Sequence, residues 1–481
     1  MNEPMVWAKE QFGGVDLGDA RRTARLVLVA SSAAMSPGGT VSSVFDDDAE
    51  LQGAYDFLES EHIDADALEA GVGAALAQRC ASESRILVAV DGSSLTFVDR
   101  TGERGLGAVG TYKSGAVGLK VISGLAMSTE GVPLGVLRQL YWKRPVQKPT
   151  NRRPAGARPI DKKETRHWLE VVTSCASRIN EASASTRITF LVDREGDSAS
   201  MLSTLTRTGH DFVVRGNWDR TVDAADGRAN AWPIRRLLTY RAELGSYDIE
   251  LSSRPGGRAA RTATISVSAA CVIIPLVDAE YQSKTTPTLW AVQAREVSGV
   301  AKGDEPIDWL LLTNTRVETF EEARAIIALY TRRWRIEEFH RTWKSGHCKV
   351  EESQLRSVPA LKKWAMILAA IASRVERLKL LARTHPNAPA TEEFSALELR
   401  SLMLKKGRPS ENPKKKKPDM ASPGVPTMAQ AVLWLAQLGG YTGKSSGGPP
   451  GAQTLARGLR RLRDMVEDLS SILEHLRDEM R

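Results

Sequence analysis

The spacing of apolar residues changes period several times along the chain, and the changes divide it into parts. Up to about residue 70 the period is helical. Asp19 is placed to cap a helix through residues 20–27, with Leu26, Val27 and Val29 available for packing. A second helix fits residues 50–59, after the turn-rich Ser36-Pro37-Gly38-Gly39, and a third fits 68–80. Strand patterns then take over. Residues 85–91 and 187–193 are short apolar runs that each close on an acid, Asp91 and Asp193, as buried strands do. Residues 119–125 and 132–142, separated by Ser128-Thr129-Glu130-Gly131, predict a hairpin. A loop rich in Lys, Arg and Pro covers 143–163, followed by a helix at 164–179. Residues 201–206 are helical and 211–215 form another strand. Between about 225 and 305, strand-like runs at 247–251, 262–274 and 289–297, broken by Gly and Pro, predict a β-rich insertion, and 309–313 is again an apolar strand.

A long helix is predicted from Thr319, with Glu322 completing a capping box, to Ser345-Gly346. At about 100° per residue, Tyr330, Arg333, Glu337 and Lys344 fall within about 60° of one another. Ile336, Phe339 and Trp343 cluster on the far side, where a core can hold the helix. A polar face opposite an apolar one is the ordinary pattern of a solvated surface. A lone carboxylate among so many cations also suits phosphate chemistry with a metal ion, which needs both signs together. Beyond Pro359 the chain is helical at 361–381. A Lys/Pro-rich linker spans 405–418, and 428–438 and 454–480 are helical. Leu455, Leu459, Leu462, Val466, Leu469 and Leu473 make a stripe that fits either the chain's own core or a second copy.

Composition narrows the class. The chain has 481 residues, enough for two to four domains, with 42% hydrophobic residues to build cores. No run reaches the roughly 18–20 apolar residues of a membrane span, and the N-terminus lacks a secretion-signal layout. Cys80, Cys175, Cys271 and Cys348 form no CxxC pair, which fits a reducing cytoplasm better than a disulfide or zinc framework. His340, His347 and Cys348 also lack a second ligand pair at zinc spacing. The net charge of +8 is a weak pointer to nucleic acid, and its clustering matters more. Arg21, Arg22 and Arg25 lie on adjoining parts of one early helix, a surface that suits phosphate contacts or is simply exposed. Asp46-Asp47-Asp48 is a solvated turn, and Glu338, about 100° from Glu337, pairs with Arg335 or Arg341.

Asp91 and Asp193 at strand ends, with Glu337 on a helix able to pack across them, place three carboxylates where open sheets put their ligand sites. Such a set can hold two magnesium ions about 3.5–4 Å apart around a scissile phosphate. Arg333 and Lys344 would then hold phosphate oxygens, Tyr330 would hydrogen-bond or stack, and Arg215, at a strand end, is a further phosphate contact.

The chain resembles bacterial insertion-sequence transposases of the DDE, cut-and-paste class that carry a tyrosine–arginine–glutamate–lysine signature. That signature is Tyr, two residues, Arg, three residues, Glu, six residues, Lys, met by Tyr330, Arg333, Glu337 and Lys344. Asp193-Arg194-Glu195-Gly196-Asp197-Ser198 resembles the family's Asp-Arg-Glu-Ala-Asp-Ile, departing at Gly196 and Ser198. Leu17-Gly18-Asp19-Ala20-Arg21-Arg22-Thr23-Ala24-Arg25-Leu26 and Leu438-Gly439-Gly440-Tyr441 are also similar. The resemblance implies an α/β fold: an RNase H-like catalytic core with a β-rich insertion, flanked by an N-terminal helical DNA-binding domain and a C-terminal helical domain. The expected division is 1–70, 71–358 (insertion about 225–305), and 359–481, a dimerisation region containing the basic linker 405–418. It implies Asp91, Asp193 and Glu337 as the catalytic metal ligands, with Tyr330, Arg333 and Lys344 as DNA contacts. Two Mg2+ ions are implied, with Mn2+ able to substitute. The implied partners are double-stranded DNA, both transposon ends and target, and a second copy, in the cytoplasm at the bacterial nucleoid.

The implied reaction is a nick at the element's end, attack of the freed 3′ hydroxyl on the opposite strand to form a hairpin, hairpin opening, and joining to target DNA. Hairpin formation bends the strand sharply and favours stacking an extruded base on an aromatic ring. Trp309 is the candidate for that ring, or else a buried core tryptophan. The alternatives are a stand-alone structure-specific nuclease on the same core and a DNA-binding repressor whose catalytic site has decayed.

Overall fold

In the computed structural model, residues 4–147, 163–253, 259–278, 283–298, 300, 305–407, 425–443 and 448–479 are described, and the early helical period becomes four helices. These are α1 (Pro4–Phe12), α2 (Ala20–Met35), α3 (Asp48–Glu59) and α4 (Ala65–Cys80). Asp19, Asp47 and Asp64 each accept backbone N–H groups at the start of the next helix, so the Asp-rich turns are caps. Asp47 thus belongs to a helix start rather than to a mere solvated turn. α1 has no such signal and is held by Ala8 and Phe12, both fully buried.

The sheet begins with β1 (Arg85–Thr96), β2 (Gly107–Ala108), β3 (Val117–Met127) and β4 (Pro133–Trp142). Then come α5 (Thr165–Ala182), β5 (Arg187–Val192), α6 (Ala199–Arg207) and β6 (Asp211–Arg215). β3 pairs antiparallel with both β1 and β4, while β5 runs parallel to β1 and β6 parallel to β5. The order β4-β3-β1-β5-β6 is the expected RNase H-like arrangement. Helices cover both faces, which is why β5 is apolar at consecutive positions: Ile188, Phe190, Leu191 and Val192 are all fully buried.

The insertion comprises β7 (Thr221–Ala224), β8 (Trp232–Pro233), α7 (Ile234–Thr239), β9 (Gly245–Leu251), β10 (Arg261–Ile273), β11 (Leu276–Asp278), β12 (Ser283–Thr285) and β13 (Thr288–Ser298). It is not a layer apart. β14 (Asp308–Thr313) pairs antiparallel with β6 on one side and β13 on the other, and β10 continues beyond β13. The insertion therefore prolongs the catalytic sheet to twelve strands, leaving only β11 and β12 as a separate pair among the described residues.

The remaining helices are α8 (Phe320–Thr331), α9 (Trp334–Lys344), α10 (Val358–Thr384), α11 (Ala396–Gly407), α12 (Met428–Leu438) and α13 (Ala452–Glu479). At 27 residues, α10 spans about 40 Å. Its first half joins the core shared with the N-terminal helices: Trp364 Nε1 donates to the Gly39 carbonyl at 2.9 Å and Lys363 Nζ to the Ser60 carbonyl at 2.8 Å. Its second half, through Val375, Leu378 and Leu381, joins the core of α11–α13. Leu455, Leu459, Leu462 and Val466 of α13 are buried in that same core. The stripe's near half thus packs at home, while beyond it Ile472, Leu473 and Leu476 are exposed. The expected linker needs one correction, since Lys405 lies in α11; its remainder from residue 408, and 148–162 of the basic loop, lie outside the described residues. Among the described residues no helix is long and apolar enough to cross a membrane.

Candidate active site

Strand register brings the first two acids together. Val90 pairs with Val192 in the parallel β1–β5 ladder, so Asp91 and Asp193 follow side by side. Asp91 is not at a strand end, as the apolar run suggested. β1 continues to Thr96 along β3, because the polar residues after Asp91 still have β3 as a ladder partner. Asp91 instead marks where β5 leaves the sheet. Asp193 turns the chain there, accepting the Glu195 N–H at 2.9 Å. Gly196 permits the tight turn: a Cβ at that position would lie 2.2 Å from Val192 Cγ1. Further along this turn, Asp197 is buried and accepts from the backbone N–H groups of Asn217 and Trp218, tying it to the end of β6.

The signature helix is also corrected. It is two helices, because Arg335 and Ile336 donate to the carbonyls of Arg332 and Arg333, a tightened turn that interrupts the regular ladder. The capping box at Thr319 and Glu322 is present as expected, and so is the burial of Ile336, Phe339 and Trp343. The polar side chains do not form a solvated face. Tyr330 is 4% exposed and Arg333 8%. Both face the sheet, Tyr330 against Trp309 of β14 and Arg333 toward Asp91 of β1.

Arg333 lies between two of the acids. Its Nη1 is 3.7 Å from Asp91 Oδ2 and its Nη2 is hydrogen-bonded to Glu337 Oε1. Burial, and then the neighbouring charge of Asp193, push the Asp91 carboxyl up to about 7, although Arg333 opposes the shift. Trp309 is half-buried rather than sealed in a core. The Tyr330 ring stands edge-on to it at 5.3 Å, and the Arg215 guanidinium covers its ring at 5.3 Å. Burial raises the Tyr330 phenol's pKa against the pull of Arg333 and Arg215. Lys344 is half-buried, 3.8 Å from Glu351 Oε1. Glu338 pairs with Arg335 as expected, and also with Lys379 at 3.4 Å.

The N-terminal arginines do not act alike. Arg21 is exposed and pairs with its own cap, Asp19, while Arg25 is also exposed. Arg22 is half-buried and donates to the carbonyls of Leu17 and His62, so it clamps the loops and is not a free surface cation.

Three neighbours of the site had no role in it from the sequence, where His340 was weighed only as a zinc ligand and Ser123 and Lys120 were not named. His340 is buried with Nδ1 3.9 Å from Asp91 Oδ2 and Nε2 3.2 Å from Ser123 Oγ. Burial, helped by Lys344 and Arg333, drives its pKa down to about 3, so the ring is neutral. Lys120 Nζ donates to Ser94 Oγ at 3.0 Å. The signal for His340 was its place three residues after Glu337, on the same helical face. Nothing in an apolar strand pattern marks Ser123 or Lys120.

As placed, no three Asp, Glu, His or Cys side chains among the described residues gather tightly enough to cage an ion. The chemistry of the donors nonetheless suits one. Hard carboxylate oxygens favour Mg2+ or Mn2+. Asp91 is desolvated beside a second acid, a situation that a cation relieves. Arg333 Nη1 is buried without a hydrogen bond. Glu337 keeps a side chain 31% exposed, with room to leave Arg333.

Two families match the chain: one described as transposase DNA-binding over residues 4–63, and one described as transposase DDE domain over residues 157–373. The first takes in Arg21, Arg22 and Arg25, and the second takes in Asp193, Arg215, Trp309 and the Tyr330–Lys344 segment, with Asp91 lying between them. With a helical DNA-binding region ahead of a mixed sheet that carries the acids, the chain belongs to the DDE transposases, metal-dependent enzymes acting on DNA.

Proposed function

We propose that this transposase cleaves the ends of its element through Asp91, Asp193 and Glu337 and joins the 3′ ends to target DNA. The observation that carries the reading is the β1–β5 register beside α9: two acids adjacent on the sheet, and a third whose arginine partner also faces the first. Bound divalent cations, two magnesium ions with manganese able to replace them, supply activation of the attacking oxygen and charge stabilisation at the leaving one. Asp91 and Asp193 would hold them directly, with Glu337 joining by exchanging Arg333 for the ion. Arg333, once released, and Lys344 are then free to hold non-bridging phosphate oxygens.

The reaction sequence is two hydrolyses and two transesterifications. A water oxygen bonds to the phosphorus at the element's end and frees a 3′ hydroxyl. That hydroxyl displaces the flanking DNA from the opposite strand and closes a hairpin. A second water breaks the hairpin's phosphodiester and frees the 3′ hydroxyl again, and that hydroxyl bonds to a target phosphorus while the target's own 3′ oxygen leaves. Trp309, half-buried and backed by Tyr330 and Arg215, offers the extruded base a ring held in place. In this reading residues 1–70 bind the ends, 71–358 carry out catalysis and 359–481 form the dimer. The exposed Ile472, Leu473 and Leu476 on α13 support the last.

The test is incubation with DNA carrying the host element's ends, with and without magnesium. Asp91→Ala, Asp193→Ala and Glu337→Ala should each abolish nicking and leave end binding intact. A pre-cut end that yields no joined product would make the protein a plain nuclease. Binding without any cleavage would make it a repressor.

A further inference from the structure

Behind Asp91 lies a chain of buried polar groups that the reaction as described does not use. Ser123 faces Asp91 across the β1–β3 ladder, and His340 reaches both from α9. Tyr141 Oη donates to Gln139 Oε1 at 2.9 Å, and Gln139 Nε2 donates to Ser123 Oγ at 3.3 Å. The Gln139 backbone N–H is anchored on Glu69 Oε1 at 3.0 Å, and Glu69 is in turn held by Arg138 and Arg178.

The chain has a direction. The Ser123 oxygen accepts the Gln139 amide, and its one proton is available to His340 Nε2, 3.2 Å away; the Asp91 side of the ring sets which way that bond runs. A neutral imidazole that accepts at Nε2 carries its own proton on Nδ1, the nitrogen facing Asp91 Oδ2 at 3.9 Å. The reverse polarity would set a nitrogen lone pair against the carboxylate. Asp91 Oδ1 meanwhile accepts the Gly92 N–H at 2.9 Å. The carboxylate thus accepts one hydrogen bond, at Oδ1, while Oδ2 faces His340 Nδ1 and, at 3.7 Å, Arg333 Nη1, the group that the proposed exchange at Glu337 would release; Oδ2 is left for a cation.

We propose that His340 is a positioning residue for Asp91, its Nδ1–H tautomer fixed by the Tyr141–Gln139–Ser123 chain so that the carboxylate is presented to the metal in one orientation. This rests on the reading of Asp91 as a metal-holding acid. At 3.9 Å the Nδ1–H faces Asp91 without yet bonding to it, and outer partners that do hydrogen-bond a metal ligand commonly account for about 10–100-fold in metal affinity or activity.

The first measurement needs neither metal nor DNA. Long-range 15N–1H correlation on 15N-histidine-labelled full-length protein should show one neutral ring protonated at Nδ1, assigned as His340 by its loss in His340→Asn. Ser123→Ala should convert that ring to a mixture of tautomers. An Nε2–H ring, or a tautomer indifferent to Ser123→Ala, overturns the proposal. The second measurement is the Mn2+ concentration for half-maximal end cleavage. His340→Gln places its amide near Nε2 and loses the donor at Asp91, so it should raise that concentration about tenfold or more. His340→Asn, whose amide nitrogen falls near Nδ1, should recover most of the loss. Equal losses in both variants overturn the positioning role. Normal cleavage by Asp91→Ala would instead remove the reading of Asp91, while leaving the tautomer result standing.

Discussion

Asp91 should destabilise the metal-free protein, and the size of the effect follows from its surroundings. Its side chain is 14% exposed and its carboxyl is raised from 3.8 to about 7. A carboxyl raised on folding binds protons more tightly in the folded state. Its contribution to stability is therefore complete below about pH 4 and is lost as the pH rises to 7. A shift of three units corresponds to about 4 kcal/mol of penalty at pH 8. At pH 5 less than half of it has appeared, so the difference between the two pH values is about 3 kcal/mol. Asp91→Asn removes the charge and keeps an acceptor for the Gly92 N–H. In the presence of a chelator, urea unfolding should show the variant more stable than wild type at pH 8, with the gap narrowing by about 3 kcal/mol at pH 5. Added Mn2+ should raise the stability of wild type and leave Asp91→Asn unmoved. A gap that is absent at pH 8, or that does not shrink on acidification, would refute the reasoning, since desolvation beside Asp193 would then not be governing Asp91.

Trp309→Ala should slow hairpin formation far more than the first nick, measured on end DNA by denaturing gel; equal slowing of both steps counts against stacking there. Lys344→Ala should weaken binding of end DNA and lower the slope of log affinity against log salt by about 1. An unchanged slope would remove Lys344 from the phosphate contacts. Gly196→Ala forces a methyl against Val192 and should cost about 1–3 kcal/mol in urea unfolding, even though the resembling families carry Ala at that place. No loss would mean that the turn relaxes freely.

Much of this protein was legible along the chain. The apolar runs ending in Asp91 and Asp193, the Asp19 cap, the capping box at Thr319 and the strand period of the insertion follow from local preferences and from which side chains avoid water, and these need no tertiary partner to be read. The spacing of Tyr330, Arg333, Glu337 and Lys344 likewise stands in the sequence. Pairing was not legible, because a strand's neighbours are chosen by contacts between residues far apart in the chain. Tertiary structure alone extended β1 past Asp91, because β3 supplies the partner, and merged the insertion with the catalytic sheet through β14. It also broke the signature helix at Arg332–Arg333 and turned Tyr330 and Arg333 from solvent to the sheet. It drew His340 and Ser123 beside Asp91; only the spacing of His340 from Glu337 hinted at this, and nothing around Ser123 did. A one-dimensional pattern records how each segment meets water, whereas the site depends on which buried groups meet one another, and only packing settles that.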